Sequence, residues 1–232
     1  PAIITYLSVT SRLIAMRPGA MPVHLLLLGV PSAGKSYTLQ IVLRLMPDGA
    51  FHTIDAGSPR VLIYDTAELK NKALIFGEAD SLPAGEDNPA ASAVRNLLQD
   101  HFLHYKVTVS DPETGSYTVL SIRKDGPTVL VTTAVRSLGD QLNSRLFVLE
   151  LSEDPQQIAD ALDTQADLEL WGTTDPDPGL IAFQEYLQAL APWDVVVPFA
   201  KELSNAVKQT ASAPRILRDW QRLLSLIKAV TI

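Results

Sequence analysis

Residues 25–36 constrain the fold of this chain more than any other stretch. They read Leu-Leu-Leu-Leu-Gly-Val-Pro-Ser-Ala-Gly-Lys-Ser, and the residues that follow continue with apolar side chains at helical spacing. A continuous apolar run is typical of a strand buried on both faces, as in a parallel sheet. Glycines in the turn permit the backbone angles needed to enter a helix sharply. We therefore predict a strand over 23–28 and a helix over 35–46, joined by a tight turn in an α/β fold.

The turn also has the spacing of a phosphate-binding loop. Its pattern, Gly29-x-x-x-x-Gly34-Lys35-Ser36, is that of a Walker A motif. Backbone N–H groups and the positive end of the next helix would point at the phosphates. Lys35 would reach the β- and γ-phosphates, and the Ser36 hydroxyl would ligate Mg²⁺. The sequence thus predicts ATP and Mg²⁺ as cofactors, with nucleotide-binding residues Gly29, Pro31, Ser32, Ala33, Gly34, Lys35, Ser36 and Tyr37.

Composition narrows the class of protein. The 232 residues are 47% apolar and carry a net charge of −7, which argues against a general coat of nucleic acid but allows a local basic strip. Cysteine is absent and the four histidines are scattered, so neither a disulfide framework nor a thiolate metal site is expected. No apolar run approaches the roughly 18 residues of a membrane span. We expect a soluble, cytoplasmic protein without a membrane partner, and a fragment, because the chain starts at Pro1 and stops at Ile232 within a predicted helix.

Further along the chain, apolar patterning predicts a core at 1–153 and a helical subdomain at 154–232. Apolar and polar residues alternate over Tyr105–Val109 and 117–122, as they do in strands. This alternation predicts a β-hairpin near 105–122. The other predicted strands are 51–55, 72–77, 128–133 and 145–151, and the other predicted helices are 90–104, 156–171, 180–191, 197–209 and 214–231.

Together, these motifs resemble an AAA+ ATPase, with a P-loop NTPase three-layer core, a parallel sheet and a small helical lid. The segment after the 72–77 strand looks like the Walker B motif of that family, which implies that Glu78 polarises the attacking water. Gly77 stands where the family usually has a Mg²⁺-binding aspartate, and Asp80 is a poor substitute. A polar residue at the end of the 128–133 strand looks like sensor 1. That strand would lie beside the phosphate-loop strand, and Thr133 is favoured over Thr132.

Two arginines complete the resemblance. Arg145 looks like an arginine finger, whose guanidinium stabilises charge on the γ-phosphate, usually of a neighbouring subunit. Arg218 looks like the sensor 2 arginine of minichromosome maintenance (MCM) helicases, with Arg215 as the alternative. The hairpin resembles the pre-sensor-1 hairpin of MCM helicases, magnesium chelatases and superfamily III helicases. As a whole, the chain looks like the ATPase segment of MCM-like helicases carried with primases in phages and mobile elements.

The resemblance implies a hexameric ring that pulls DNA, expected to be single-stranded, through its pore. The hairpin residues that could contact phosphates are Lys106, Arg123 and Lys124. The hairpin tip at 111–113 is acidic, however, which repels a nucleic-acid backbone. A hairpin that packs on a neighbouring subunit is therefore an equal alternative to one that contacts DNA.

Three alternative functions are compatible with these motifs. The leading one is an ATP-driven helicase or translocase of a replication system. An AAA+ protein remodeller needs no basic pore, which suits the acidic tip and the negative net charge. A slow, ATP-gated assembly module would follow if Gly77 weakens hydrolysis. A small-molecule kinase is less favoured, because it would not need Arg145 and a helical lid.

Overall fold

A computed structural model describes residues 1–54, 60–79, 82, 89–110, 115–136, 140–152, 154–173, 175–209 and 213–232. In chain order, its elements are α1 (Ala2–Thr10), β1 (Leu25–Leu28), α2 (Lys35–Leu43), β2 (Phe51–Ile54), α3 (Val61–Tyr64), β3 (Lys72–Phe76), α4 (Pro89–Asp100), β4 (Phe102–Ser110), β5 (Tyr117–Asp125), β6 (Thr128–Ala134), α5 (Asp140–Asn143), β7 (Phe147–Glu150), α6 (Pro155–Trp171), α7 (Pro178–Ala189), α8 (Ala200–Lys208) and α9 (Ile216–Thr231). Within the described ranges, no helix has the length and hydropathy needed to cross a bilayer.

A five-stranded parallel sheet forms the centre of the molecule, in the order β2–β3–β6–β1–β7. Strand β6 lies between β1 and β3, with Thr133 beside Leu27 and Thr132 beside Phe76. The predicted adjacency of the 128–133 strand to the phosphate-loop strand is therefore confirmed. Because all five strands are parallel, their carboxyl ends meet at one edge of the sheet and their amino ends at the other.

Helices cover both faces of this sheet, which explains the continuous apolar runs in the sequence. Leu26 and its same-face neighbours pack with residues of α3 and α4, such as Leu97. Leu25 and Leu27 point to the other face and pack with residues of α1 and α2, including Val42. Each fully buried leucine contributes roughly 1.5–3 kcal/mol to the hydrophobic stabilisation of the fold. The predicted α/β class is confirmed, with the sheet as the middle of three layers.

The helices after β7 contact the N-terminal segment rather than standing apart from it. Gln184 of α7 is buried and donates to the Tyr6 hydroxyl at 2.7 Å and to the Thr10 hydroxyl at 3.0 Å. Ser225 of α9 donates to the Met21 carbonyl at 2.6 Å. By contrast, α6 has no buried residue, and Trp171 at its end is 82% exposed.

The hairpin is longer than predicted, because β4 and β5 pair in antiparallel register from Phe102–Asp125 out to Ser110–Tyr117. The predicted helix over 90–104 ends at Asp100 instead. His101 has a positive φ of 62°, and its carbonyl accepts a 2.7 Å hydrogen bond from the Gly126 N–H. Phe102 falls within that predicted helix, yet it begins β4. The turn at His101 ends α4 because it directs the chain into the hairpin.

A buried histidine joins the amino end of the sheet to α4. His24 precedes β1, and its Nε2 donates to the Leu98 carbonyl at 2.9 Å. Its Nδ1 accepts from the Leu130 N–H at 3.2 Å. Burial, with a smaller contribution from the charge of Arg222, lowers the pKa of His24 to about 3. The ring is therefore neutral in the folded protein at neutral pH.

This environment predicts a loss of stability on mild acidification. The unfolded chain binds a proton at His24 below its ordinary pKa of 6.5, whereas the folded chain does so only near 3. Since the unfolded state then holds more protons, the free energy of unfolding should fall by about 2 kcal/mol between pH 7 and pH 5 on account of His24. Urea unfolding at both pH values measures the change. The exposed His104→Gln control should keep the full pH dependence, and a His24→Gln variant that keeps it too would contradict the assignment.

Candidate functional site

The carboxyl edge of the sheet brings together three of the sequence-predicted groups. The phosphate loop follows β1, Glu78 follows β3, and Thr133 lies near the end of β6 between them. The Gly29 N–H donates to the Ala134 carbonyl at 3.2 Å, which ties the start of the loop to the end of β6. Glu78 is two strand spacings from β1, or about 10 Å across the sheet.

The loop has backbone features that favour its glycines. Gly34 has a φ of +80°, a left-handed conformation that costs other residues free energy. A Cβ on Gly29 would lie 3.3 Å from the Ala33 Cβ, so a side chain there would crowd the turn. Lys35 begins α2, and its Nζ donates to the carbonyls of Gly29 and Val30, both at 2.7 Å. The lysine ammonium group is thus held against its own loop, at the positive end of a helix.

A cavity of about 510 Å³ separates the loop from α6. Its walls include Pro31 and Gly34 on the loop side, Tyr37 on α2, and Ile158 and Leu162 on α6. A volume of this size is in the range of small-molecule sites. Polar and apolar side chains are mixed in its lining: Gln157 and Gln165 of α6 stand beside Ile158 and Leu162, and Tyr37 adds an aromatic ring of the kind that suits a nucleotide base. The contribution of α6 was missed at the sequence level, although Ile158 and Leu162 form an apolar pair at helical spacing.

The two candidate sensor threonines have different surroundings. The Thr133 hydroxyl donates to the Gly77 carbonyl at 2.6 Å, immediately before Glu78. Thr132 points to the opposite face of the sheet, and its fully buried hydroxyl has no hydrogen-bond partner in the described part of the chain. Glu78 itself is exposed. The structure thus places Thr133, and not Thr132, in contact with the segment that carries the predicted base.

Arg145 lies at the opposite, amino edge of the sheet. It precedes β7, whose first residue Phe147 donates its N–H to the His24 carbonyl at 2.7 Å. Four residues of β1, about 13 Å of strand, separate this level from the phosphate loop. The Arg145 Nη2 donates to the Gln99 Oε1 at 3.2 Å. No pattern in the sequence pointed to Gln99 as this partner.

Arg218 is brought to the same edge by α9. Its Nη1 donates to the Ser144 hydroxyl at 2.9 Å, next to Arg145 in the chain. Burial and then the nearby charge of Arg218 lower the pKa of Arg145. The alternative sensor, Arg215, pairs with Asp219 at 3.4 Å. Arg145 and Arg218 therefore lie together, and both are remote from the loop of their own chain.

The predicted hairpin cations divide between its two faces. Lys106 and Arg123 lie on the exposed face, where the Arg123 Nε also donates to the Asp125 carboxylate at 2.9 Å. Lys124 lies on the inner face, is 8% exposed, and donates to the carbonyls of Asp65 and Ala67. Burial lowers its pKa. The placement of Lys124 does not support its predicted contact with nucleic acid, because its ammonium group anchors the hairpin base.

The donor set at the carboxyl edge is compatible with a Mg²⁺-nucleotide. Ser36 is exposed in the first turn of α2, and both it and Glu78 offer hard oxygen ligands of the type that Mg²⁺ prefers. Within the described ranges, no group of three or more histidine, aspartate or glutamate side chains could hold a metal by itself. Asp80 and the hairpin tip at 111–113 lie outside the described residues.

No protein-family model matches the chain, and no curated protein sequence matches it.

Proposed function

We propose that this chain is an ATPase of the AAA+ type that works in a ring of identical copies, as a helicase or translocase in DNA replication. The observation that carries the proposal is the division of the site between two edges of one sheet. The phosphate loop, Glu78 and Thr133 share the carboxyl edge, while Arg145 and Arg218 share the amino edge. The proposal that residues 29–36 form a phosphate loop rests on their sequence motif. The strand beside β1 is β6, which is the strand expected to carry sensor 1.

Each residue at the carboxyl edge has a role in this proposal. Lys35 and the N–H groups of the loop bind the phosphates. Ser36 would hold Mg²⁺, which supplies charge neutralisation for the phosphates. Glu78 accepts a proton from the attacking water as the general base. Thr133 positions the segment at Gly77 and orients the water.

The two arginines act on the nucleotide of a second copy. An extended arginine side chain is about 7 Å long, so Arg145 cannot cover the 13 Å or so of strand back to its own loop. A head-to-tail contact would place the amino edge of one copy over the carboxyl edge of the next, and such contacts close into rings when the rotation allows. The predicted finger and sensor 2 would then reach the same γ-phosphate from one neighbour.

DNA, expected to be single-stranded, is the proposed substrate of the ring, and a primase or another replication protein is the proposed partner. Lys106 and Arg123 on the exposed hairpin face would contact phosphates. The test is steady-state ATP hydrolysis with and without single-stranded DNA. DNA should raise turnover, and a Lys106→Ala variant should lose part of that increase while keeping basal turnover. If ATP turnover stays unchanged over a full DNA titration, the proposed function as a DNA helicase or translocase is contradicted.

Protein remodelling is the second candidate, and the hairpin supports it. Lys124 is buried, and Arg123 is paired with Asp125, which leaves Lys106 as the hairpin cation without a hydrogen-bond or ion-pair partner among the described residues. A weakly basic hairpin suits a polypeptide better than a phosphate backbone. Turnover that is indifferent to DNA but stimulated by a protein would favour this function. Nucleotide binding with negligible turnover would favour the ATP-gated assembly module that Gly77 suggests.

A further inference from the structure

A third arginine lies at the amino edge, on an element that the motifs do not reach. Arg95 of α4 precedes Gln99 by four residues, so the two side chains share one face of the helix. Gln99 accepts the 3.2 Å hydrogen bond from Arg145. The charge of Arg95 is close enough to contribute, after burial and Arg218, to the lowered pKa of Arg145. Arg95 therefore lies one helical turn from the side chain that binds the predicted finger.

The three arginines come from α4, from the turn before β7, and from α9, yet their positive charges converge. Arg95 donates to the Ser92 hydroxyl at 2.6 Å, and Arg218 donates to the Ser144 hydroxyl at 2.9 Å. Both partners are neutral. The nearby carboxylate of Asp219 is already bonded to Arg222 at 2.6 Å, and the charge of Asp100 acts against the lowering of the Arg145 pKa. The edge thus has a concentrated positive potential that a polyanion would relieve.

The hydrogen bond of Arg95 lies within α4 and makes no tertiary contact. Ser92 lies one turn earlier on the same helix, so this bond ties α4 to no other element. A like-charge neighbour costs free energy, and nothing in that bond offsets the cost. Locally unfavourable arrangements of charge of this kind are typical of functional sites. Guanidinium groups also match phosphate oxygens in paired, planar hydrogen bonds that a lysine cannot make.

We propose that Arg95 joins Arg145 and Arg218 in one polyphosphate site, and that its ligand is the triphosphate of a nucleotide held by the phosphate loop of a second copy. Arg95 contacts the phosphates directly from α4 and shares the charge that develops during hydrolysis. This inference rests on the proposed function, because it requires a neighbouring copy with a bound nucleotide. It adds a third element of the fold to the contact between copies.

The test compares ATP hydrolysis by wild type, Arg95→Ala and Arg95→Lys. Arg95→Ala should lower turnover by roughly 100- to 1,000-fold, as expected for the loss of one donor to a transition state. Arg95→Lys should recover part of this loss, since it keeps the charge but not the fork. The matched control is Arg17→Ala, because Arg17 forms an exposed ion pair with Asp194, and it should keep wild-type turnover. Thermal unfolding of each variant verifies the fold.

Mixing experiments separate a role in a neighbouring site from a structural role. Arg95→Ala mixed with Glu78→Gln should regain turnover, because the Glu78→Gln copy supplies an intact arginine edge to the intact loop of the other. If Arg95→Ala hydrolyses ATP like wild type, or loses turnover that mixing does not restore, the inference is overturned while the proposed function stands. If the wild type itself does not hydrolyse ATP, the proposed function fails and the inference fails with it.

Discussion

Replacing Arg145 with alanine is expected to lower the rate of ATP hydrolysis by about 10³-fold or more, the effect of removing an arginine that stabilises a phosphoryl-transfer transition state. Affinity for nucleotide should stay unchanged, because Arg145 lies at the amino edge of the sheet and the loop at the carboxyl edge. Single-turnover hydrolysis and equilibrium binding of a fluorescent ATP analogue measure the two quantities separately. Arg145→Lys should be intermediate, since lysine lacks the planar fork.

Two outcomes would contradict this account of Arg145. Wild-type turnover in the alanine variant would show that the guanidinium does not act on a phosphate. A parallel loss of nucleotide affinity in dilute, monomeric protein would show that Arg145 supports the loop of its own chain. Because Arg145 is bonded to Gln99, the thermal unfolding midpoint must be compared as well. A matching midpoint would assign the kinetic loss to the missing guanidinium and not to a disturbed fold.

Glu78→Gln is expected to lower turnover by about 10²- to 10⁴-fold, the usual contribution of a general base. Glutamine keeps the shape and exposure of Glu78 but cannot accept the proton of the attacking water. Binding of the nucleotide should be retained, because Lys35 and the loop N–H groups are unchanged. The matched control is Glu68→Gln, an exposed carboxylate in the segment before β3, which should hydrolyse ATP like wild type.

The alternative for Glu78 follows from its neighbour. Gly77 offers no carboxylate for Mg²⁺, and its carbonyl is bonded to Thr133. If Glu78→Gln keeps wild-type turnover, the base lies elsewhere and the Walker B assignment is wrong. If wild type and variant both bind ATP without measurable hydrolysis, the assembly module becomes the better description of the protein.

Local patterns were sufficient for the parts of the fold that each short segment determines by itself. The four leucines of β1 are buried or half-buried and end in the turn that the glycines predicted. The strand predicted at 128–133 is also present, because a continuous apolar run is typical of a strand that helices cover on both faces. The same reasoning failed at Phe102, because one apolar residue fits both a helix face and the start of a strand. What decides between them is the pairing of Phe102 with Asp125, which is distant in sequence.

The candidate site shows a similar division. The placement of residues 29–36, Glu78 and Thr133 at one edge of the sheet could be predicted because each lies at the end of a recognisable strand, whereas their roles stay predictions. The burial of Lys124 could not, because it depends on the distant segment that contains Asp65 and Ala67. The convergence of Arg145 and Arg218 depends on the return of α9 to the amino edge. On α9, the buried residues are Arg222, Ser225 and Ala229, so apolar periodicity alone did not indicate its packing face.

The most direct test of the central claim, that hydrolysis takes place between copies, is to mix the two inactive variants. In a mixture of Glu78→Gln and Arg145→Ala, some interfaces combine the intact loop and Glu78 of one variant with the intact arginine edge of the other. With equal amounts and random assembly, roughly a quarter of the interfaces should be complete, as expected for a head-to-tail arrangement. ATP hydrolysis should therefore return well above that of either variant alone. A mixture as inactive as its components, under conditions in which both variants co-assemble, would contradict the claim and would place the entire site within one chain.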